Sequence, residues 1–412
     1  MSNFTLSLGI DSLKIVAQTI DTQGNIIFDV ESTRTETACH KCGQLTNKRY
    51  GFGETITIRH LPILDTPVYL RISVARYECQ NCDDHTTTSE EYDWCERKSK
   101  TTKGLDKYIN RQLIHSTIED VGKKERLSSE IVWSALNRSV NTNVNWSMYR
   151  DLETIGIDEI AIKKGHNDYL TIVSVKDKSG SLSVIAVLPD RLKETVKTFL
   201  ESIPSHLKKT VKSICTDMHD GFVKSAEEVF EKRIVVIDRY HVSKLYREPL
   251  DRIRIEEMKR LKSILSQEDY AKLEGVMWIV RKKHECLSVQ EKEALEFMYI
   301  NSPLMKKAHK ISIKLTHIFN THHNRKAALT QINRWIKSVQ SSNLTCFDGF
   351  IKTLEKYKVS ILNYFKSRKN SGFVEGLNNK IKVLKRRCYG ISKPASLFQR
   401  LFLDLMGYKV FA

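Results

Sequence analysis

Apolar and polar residues alternate through FTLSLGI, LKIVAQTI and NIIFDV, within the first 35 positions. Thr22-Gln23-Gly24-Asn25 interrupts them, which predicts short strands joined by a turn. A second alternating run, RHLPILDTPVYLRISVARYE over residues 59–78, reads as a hairpin of strands. Between residues 101 and 150 the period lengthens to that of helices. TKGLDKYINRQLIHSTIEDVGKKE and SSEIVWSALNRSVN form a helix, short turn, helix pair, with Ser128-Ser129-Glu130 as a cap.

From residue 155 the pattern changes to mixed strands and helices. Strands are predicted over Gly156–Ile162, Tyr169–Val175 and Leu182–Leu188, the last two joined at Lys178-Ser-Gly180. A helix over 191–212 follows, then a strand at Ser213–Asp217, a helix at Phe222–Phe230 and a continuous apolar strand at Ile234–Asp238. Three strands, helix, strand, helix, strand is the order of a ribonuclease H-like fold. Residues 243–368 are helical by period, and 369–412 read as further helices. The expected fold class is multidomain α+β. Its expected parts are an N-terminal β region (1–98), a helical region (99–150), a first catalytic-type segment (151–242), a helical insertion (243–368) and C-terminal helices (369–412) completing the catalytic domain.

Charge changes what this architecture is expected to meet. The 412 residues carry 67 Lys and Arg against 49 Asp and Glu, a net charge of +18. Such a balance calls for a polyanion, with nucleic acid first among candidates. The helix, turn, helix outline then suggests a helix-turn-helix DNA reader. No apolar run reaches the roughly 18 residues of a membrane span. The N-terminus shows no charged segment followed by an apolar block, so a cytoplasmic, nucleoid-associated protein is expected. Trp133, Trp146, Trp278 and Trp335 are expected to pack in cores.

Nine cysteines, an odd count without an export signal, argue against a disulfide framework. Four form two pairs, Cys39-His-Lys-Cys42 and Cys79-Gln-Asn-Cys82. Two such turns supply the four thiolates of a closed tetrahedral zinc site, a structural zinc ribbon. Cys95 and His85 are nearby but lack the paired spacing. Cys215, Cys286, Cys346 and Cys388 are isolated, and apolar burial is their expected role.

The catalytic candidates are acids. Asp158 lies on the first strand of the mixed region and Asp217 ends the fourth. Glu375 is the single acid among ten Lys or Arg between residues 366 and 400. On a helix, Val374, Leu377, Ile381 and Leu384 make an apolar stripe, while Glu375, Asn379, Lys382 and Arg386 share another face. That face suits a metal-binding carboxylate beside a phosphate-binding row of Asn379, Lys382, Lys385, Arg386 and Arg387. The plainer alternative makes Glu375 an internal salt-bridge partner. Three carboxylates in this fold bind two divalent ions, Mg²⁺ or Mn²⁺, for phosphodiester chemistry. Glu159 is expected on the opposite face of its strand.

These residues resemble the DDE transposases of bacterial insertion sequences, specifically the ISL-three (ISL3) family. The resemblance is carried by CHKCG, HLPILDTPVYLRISVARYECQNC, IGIDEIAIKKGHNDYLTIV, TDMHDGF, VVIDRYHVSKL and FVEGLNNKIKVLKRRCYGI, across roughly residues 39–404. It implies a triad of Asp158, Asp217 and Glu375, with a helical insertion in the second interval. It also implies an accessory role for Asp238 and His241, through an Asp-x-x-His signature. The implied function is binding of terminal inverted repeats, metal-dependent cleavage and strand transfer, by a homodimer on double-stranded DNA. The alternatives are a non-catalytic zinc-ribbon regulator and a ribonuclease H-like nuclease without strand transfer.

Overall fold

The computed structural model describes residues 7–161, 169–237, 239–367 and 372–412. The chain divides into two compact units. One joins Met1–Asn143 to Val383–Ala412, and the other is Val144–Lys382. The helices expected over 369–412 are thus shared between them.

In the first unit, β1 (Leu13–Ile20) and β2 (Ile26–Ser32) pair antiparallel. Their turn needs Gly24, which has a φ of +80°, and Asp21, whose carboxylate accepts from the amides of Gln23 (2.8 Å) and Asn25 (2.9 Å). The short pair β3 (Thr37–Ala38) and β4 (Leu45–Thr46) precedes the long hairpin of β5 (Arg49–Ile63) and β6 (Thr66–Glu78). That hairpin closes through Leu64 and Asp65, both with positive φ (47° and 62°), as the two-residue primed turn demands. β7 (Thr87–Ser89) adds to β6. The order is β1-β2-β6-β5, with β2 and β6 parallel. Phe28, Val30, Ile58, Val68, Leu70 and Ile72 fill the core under this sheet.

Three helices follow: α1 (Lys103–Leu113), α2 (Ile118–Glu125) and α3 (Ser129–Ser139). Arg126 ends α2 in the left-handed region (φ 53°), and Ser128 caps α3 by accepting from the Ile131 amide. Gly122 makes this short turn possible, since a Cβ there would sit 2.9 Å from the Leu127 carbonyl. The C-terminal helix (Pro394–Phe411) packs onto the three. Leu403 and Phe411 join Leu105, Ile109, Leu113, Val132 and Leu136 in one cluster. The fully buried Arg400 donates to the carbonyls of Leu113 (3.0 Å) and Ser116. It thereby satisfies acceptors left over at the end of α1.

The second unit is built on a mixed sheet. Its elements are β8 (Thr154–Ala161), β9 (Tyr169–Lys176), β10 (Leu182–Leu188), α4 (Lys193–Glu201), α5 (Ser205–Lys208), β11 (Ser213–Thr216), α6 (Asp220–Val229) and β12 (Val235–Ile237). The order is β10-β9-β8-β11-β12. The first three strands are antiparallel, while β11 runs parallel to both β8 and β12. This is the ribonuclease H-like arrangement expected from the pattern. The single helix expected over 191–212 is instead two, α4 and α5. Pro204 separates them, because its ring forbids the helical hydrogen bond and the residue before it avoids helical backbone.

Helices supply the remainder of this unit: α7 (Arg239–Ile264), α8 (Gln267–Ala271), α9 (Val276–Ile279), α10 (Val289–Asn301), α11 (Pro303–Asn320), α12 (Arg325–Gln340), α13 (Asp348–Lys356), α14 (Lys358–Ser367) and α15 (Gly372–Arg387). The boundary between units falls within α15. Trp335 is buried as expected, its indole donating to the Ile311 carbonyl (2.9 Å). Trp278 is not a core residue. It is 61% exposed, because α9 is a single turn whose buried side is taken by Val276 and Ile279. α14 returns to the sheet, where the buried Asn363 amide donates to the carbonyls of Lys232 (2.9 Å) and Val235 (2.7 Å). It covers acceptors that an edge strand would leave open. Among the described residues no helix is long and apolar enough to cross a membrane.

His309 is buried between α10 and α11 in its neutral form. Its Nε2 donates to the Val280 carbonyl (3.0 Å) and its Nδ1 accepts from the Tyr299 hydroxyl (2.7 Å). Burial pushes its pKa down to about 4. The unfolded chain takes up this proton near 6.5, so folding stability falls as the pH drops from about 6.5 towards 4. The loss attributable to His309 is about 3 kcal/mol at the acid end. Denaturant titrations at pH 7, 5.5 and 4 are expected to show that loss in the native chain and a smaller one in His309→Gln.

Candidate active site and metal centre

The four paired cysteines converge. Cys39 follows β3, and a turn through Gly43 (φ 72°) closes when the Gly43 amide donates to the Cys39 carbonyl (2.9 Å). Cys79 follows β6, and the turn after it closes through the His85 amide and the Cys82 carbonyl (2.9 Å). All four sulfurs lie within 4.8 Å of one another, with Cys39–Cys82 at 3.9 Å and Cys42–Cys79 at 3.6 Å. A tetrahedron of thiolates about 2.3 Å from zinc has edges of about 3.8 Å. The donor set and spacing therefore fit zinc. The backbone amides of Cys42 and Lys41 pull the Cys39 thiol down to about 6, whereas burial pushes Cys82 up. Four thiols cannot all ionise together without a cation among them. Cys95 is buried apart from this set, and His85 faces Glu78 (3.7 Å). Of the isolated cysteines, Cys215 is buried as expected and Cys346 and Cys388 are half-buried, but Cys286 is exposed, on a short 3₁₀ turn that offers no core face.

In the second unit the register between β8 and β11 aligns Ile157 with Thr216. The next residue after each is an aspartate, so Asp158 on β8 and Asp217 at the end of β11 stand side by side. Both are half-buried. One Asp158 oxygen accepts from the Glu159 amide (2.8 Å) and the other from the Asn378 side-chain amide (2.6 Å). Burial pushes Asp158 up to about 6 against the pull of the Glu159 amide, and the neighbouring Asp217 adds to the rise. Burial likewise raises Asp217, opposed by its bond from the His219 amide (2.9 Å) and by the imidazole of His241.

Helical residues hold the turn after Asp217. The Tyr357 hydroxyl donates to the Met218 carbonyl (2.9 Å) and to Asp220, and Lys356 pairs with Asp220 (2.6 Å). Glu159 is half-buried and bound by Arg191 (2.8 Å), which lies over the Tyr169 ring (4.3 Å). His241 is on the first turn of α7. Asp238 lies outside the described residues.

Glu375 is in the first turn of α15 and exposed, while Val374, Leu377, Ile381 and Leu384 are buried as the stripe requires. No third acid or imidazole joins Asp158 and Asp217 within 4.8 Å among the described residues; the cysteines alone form such a group. What brings the helix to the sheet is Gly156. A Cβ there would lie 2.5 Å from Val374 Cγ2 and 2.7 Å from Ser174 Oγ. Asn379, Lys382 and Arg386 are exposed along α15. Arg387 is instead paired with Asp404 (2.6 Å), and Lys385 is half-buried.

Asn378 is the residue the sequence reading passed over. It stands four positions after Val374 and three before Ile381, on the edge of the buried stripe, and that phase was the available signal. Its Oδ1, Thr216 Oγ1 and His219 Nδ1 are all buried without a hydrogen-bond partner. Two of these orphans, on Asn378 and His219, belong to side chains beside the carboxylates and mark a site whose polar network something bound would complete, whereas Thr216, one residue before Asp217, faces the other side of the sheet. Hard carboxylate and amide oxygens suit a divalent ion of the magnesium type.

A ribonuclease H-like sheet holding paired half-buried aspartates, in a chain with a four-cysteine ribbon, defines the class of DDE enzymes acting on DNA. The sequence model of the ISL3-type DDE transposases, described as "Transposase", matches residues 155–401. That of the "zinc-finger of transposase IS204/IS1001/IS1096/IS1165" matches residues 35–82. The chain belongs to the ISL3 family of transposases. It is 26% identical over 370 residues to the transposase for insertion sequence element IS1001 of Bordetella parapertussis, covering 88% of this chain and 87% of that one. It is 22% identical over 392 residues to the transposase for IS1557 of Mycobacterium tuberculosis, covering 90% and 86%. A Drosophila P element transposase strand transfer complex is similar over 76% of this chain and 93% of that one, at 13% identity and a TM-score of 0.41. The protein is accordingly a DNA-binding DDE-type transposase with a structural zinc ribbon.

Two outcomes check this geometry. Metal analysis of the purified chain is expected to give about one zinc per molecule, lost in Cys79→Ser. Gly156→Ala is expected to destabilise the second unit by about 1–3 kcal/mol in denaturant melts, since Val374 and Ser174 must give way.

Proposed function

We propose that the chain binds the terminal inverted repeats of an insertion sequence, cleaves DNA at its ends and joins the freed ends to target DNA. Asp158, Asp217 and Glu375 would hold two Mg²⁺ or Mn²⁺ ions. When bound, such ions activate a water or a 3′-hydroxyl and neutralise the leaving oxygen. The chain's own residues fix the geometry. The Asn378 amide and the Glu159 amide orient the Asp158 carboxylate, and the His219 amide orients that of Asp217. Glu375 is carried on a helix already docked by its apolar stripe, and its carboxylate would be the third to hold the ions. His241, on the first turn of α7, would serve as an accessory group, as would Asp238. Asn379, Lys382 and Arg386 would meet the DNA backbone, with Lys385 and Arg387 shaping the end of the same helix.

The zinc ribbon and the α2–α3 pair, acting as a helix-turn-helix, would hold the repeat. Bringing two element ends together calls for a homodimer on DNA, working in the cytoplasm on nucleoid DNA. The carrying observation is the juxtaposition of two half-buried aspartates beside which Asn378 Oδ1 and His219 Nδ1 are left unsatisfied.

The test is an assay with labelled element ends. Asp217→Ala is expected to bind the ends as the native chain does and to cleave them slower by on the order of 10²-fold or more. Undiminished cleavage would overturn the triad. Cleavage by the native chain without joined products would favour a nuclease. Asn378→Ala is expected to lower the cleavage rate and raise the Mg²⁺ concentration needed for half-maximal rate, a shift that a purely structural defect would not produce.

A further inference from the structure

Glu159 is an acid to which the two-ion site gives no task. Alternation along β8 turns it to the face opposite Asp158, beside its cross-strand partner Thr171 on β9. Asp217, however, stands past Thr216, the last residue of β11, and there the charge of Glu159 still reaches it. A hard carboxylate oxygen within reach of a divalent ion becomes a ligand unless something else holds it. An extra one displaces water from the octahedron that magnesium demands and closes a position that a DNA oxygen needs.

Arg191 holds this acid. Its Nη1 donates to Glu159 Oε2 at 2.8 Å, and its guanidinium lies 4.3 Å from the centre of the Tyr169 ring. Tyr169 is two residues from Thr171, on the same face of β9. The backbone of Arg191 is fixed as well. The Thr171 hydroxyl donates to the Asp190 carbonyl (2.7 Å), and the Asp190 carboxylate accepts from the Leu192 amide (2.9 Å). On its other side the Arg191 carbonyl packs against the start of α6, where a Cβ on Gly221 would come within 3.1 Å of it. The paired side chains are 39% and 26% exposed. An ion pair so open adds little to stability. This one is nevertheless pinned from β9, from its own loop and from the turn after Asp217. Arg191 and Glu159 also act on Asp217 with opposite sign. Such pinning is better suited to keeping one acid in place than to holding the fold together.

We propose that Arg191 is a positioning residue for the reaction, keeping the Glu159 carboxylate off the ions held by Asp158, Asp217 and Glu375. The inference rests on the proposed function and concerns an acid beside that site. The full-length chain is titrated with Mn²⁺, the free ion being read by electron paramagnetic resonance, and cleavage of labelled element ends is followed separately in Mg²⁺. Arg191→Met frees the acid, so it should bind Mn²⁺ more tightly, by about threefold or more, while cleaving about tenfold slower. Arg191→Met/Glu159→Gln should return the Mn²⁺ affinity to the native value and recover most of the lost rate. Tyr169→Leu, which removes the ring under the guanidinium, should shift affinity and rate in the same directions by smaller factors. A merely structural brace would behave otherwise, since its loss loosens the aspartates and weakens ion binding. Weaker or unchanged Mn²⁺ binding in Arg191→Met, or slow cleavage that the second substitution does not recover, would therefore overturn the proposal while native binding and cleavage leave the proposed function standing. A native chain that neither binds Mn²⁺ nor cleaves would instead remove that function, and this inference with it.

Discussion

The catalytic half of this protein depends on a missing methyl group. At Gly156 the sheet and α15 approach so closely that any side chain on the strand would overlap Val374 and Ser174. Close packing of this kind is all-or-none, since interiors have few voids to absorb an extra carbon. Because the gap is closed there, Asn378 reaches Asp158 at 2.6 Å and Glu375 rides one turn away. The residue that permits the contact lies two positions from the carboxylate that benefits. A strand that must be both tight to a helix and equipped with a half-buried acid has little freedom in the order of its residues.

The helical insertion is part of the site's construction as well as an interruption of the fold. Tyr357 and Lys356 clasp the turn after Asp217, and Asn363 covers the carbonyls of the edge strand. Buried carboxylates favour the neutral form unless charge or hydrogen bonds compensate. Here those bonds come from backbone amides next in sequence and from side chains far along the chain. The site is thus stiff on the Asp217 side through α13 and α14, and on the Asp158 side through α15. Its two aspartates are held by the fold itself, so the cost of bringing them together is met during folding.

Much of this was legible in the chain. The strands of the mixed sheet showed because they are short apolar runs between turn residues, and the ribbon showed because two Cys-x-x-Cys pairs have few other uses. The stripe of Val374, Leu377, Ile381 and Leu384 fixed the face of α15 before its partner was known. What escaped notice was set by distant contacts. Arg387 looked like one more cation in a basic run, yet Asp404 claims it. Trp278 has the composition of a core residue, but a one-turn helix leaves it outside. Asn378 differs from Asn379 by one step of helical phase, and only the sheet opposite tells them apart. The division at Pro204 was readable locally and shows that a single imino acid outweighs an otherwise helical pattern.

The first unit is made of the two ends of the chain. Leu403 and Phe411 complete the cluster around Leu105, Ile109 and Leu136, and Arg400 closes the end of α1. A ribosome delivers these residues after the whole second unit has emerged. Until then α1 to α3 lack part of their apolar cover, so the ribbon-bearing unit matures only after the second unit has been made. Translation that stops before Val383 leaves a piece with neither a complete first unit nor a complete α15. A truncation there therefore strips the apolar faces of α1 to α3 of part of their cover.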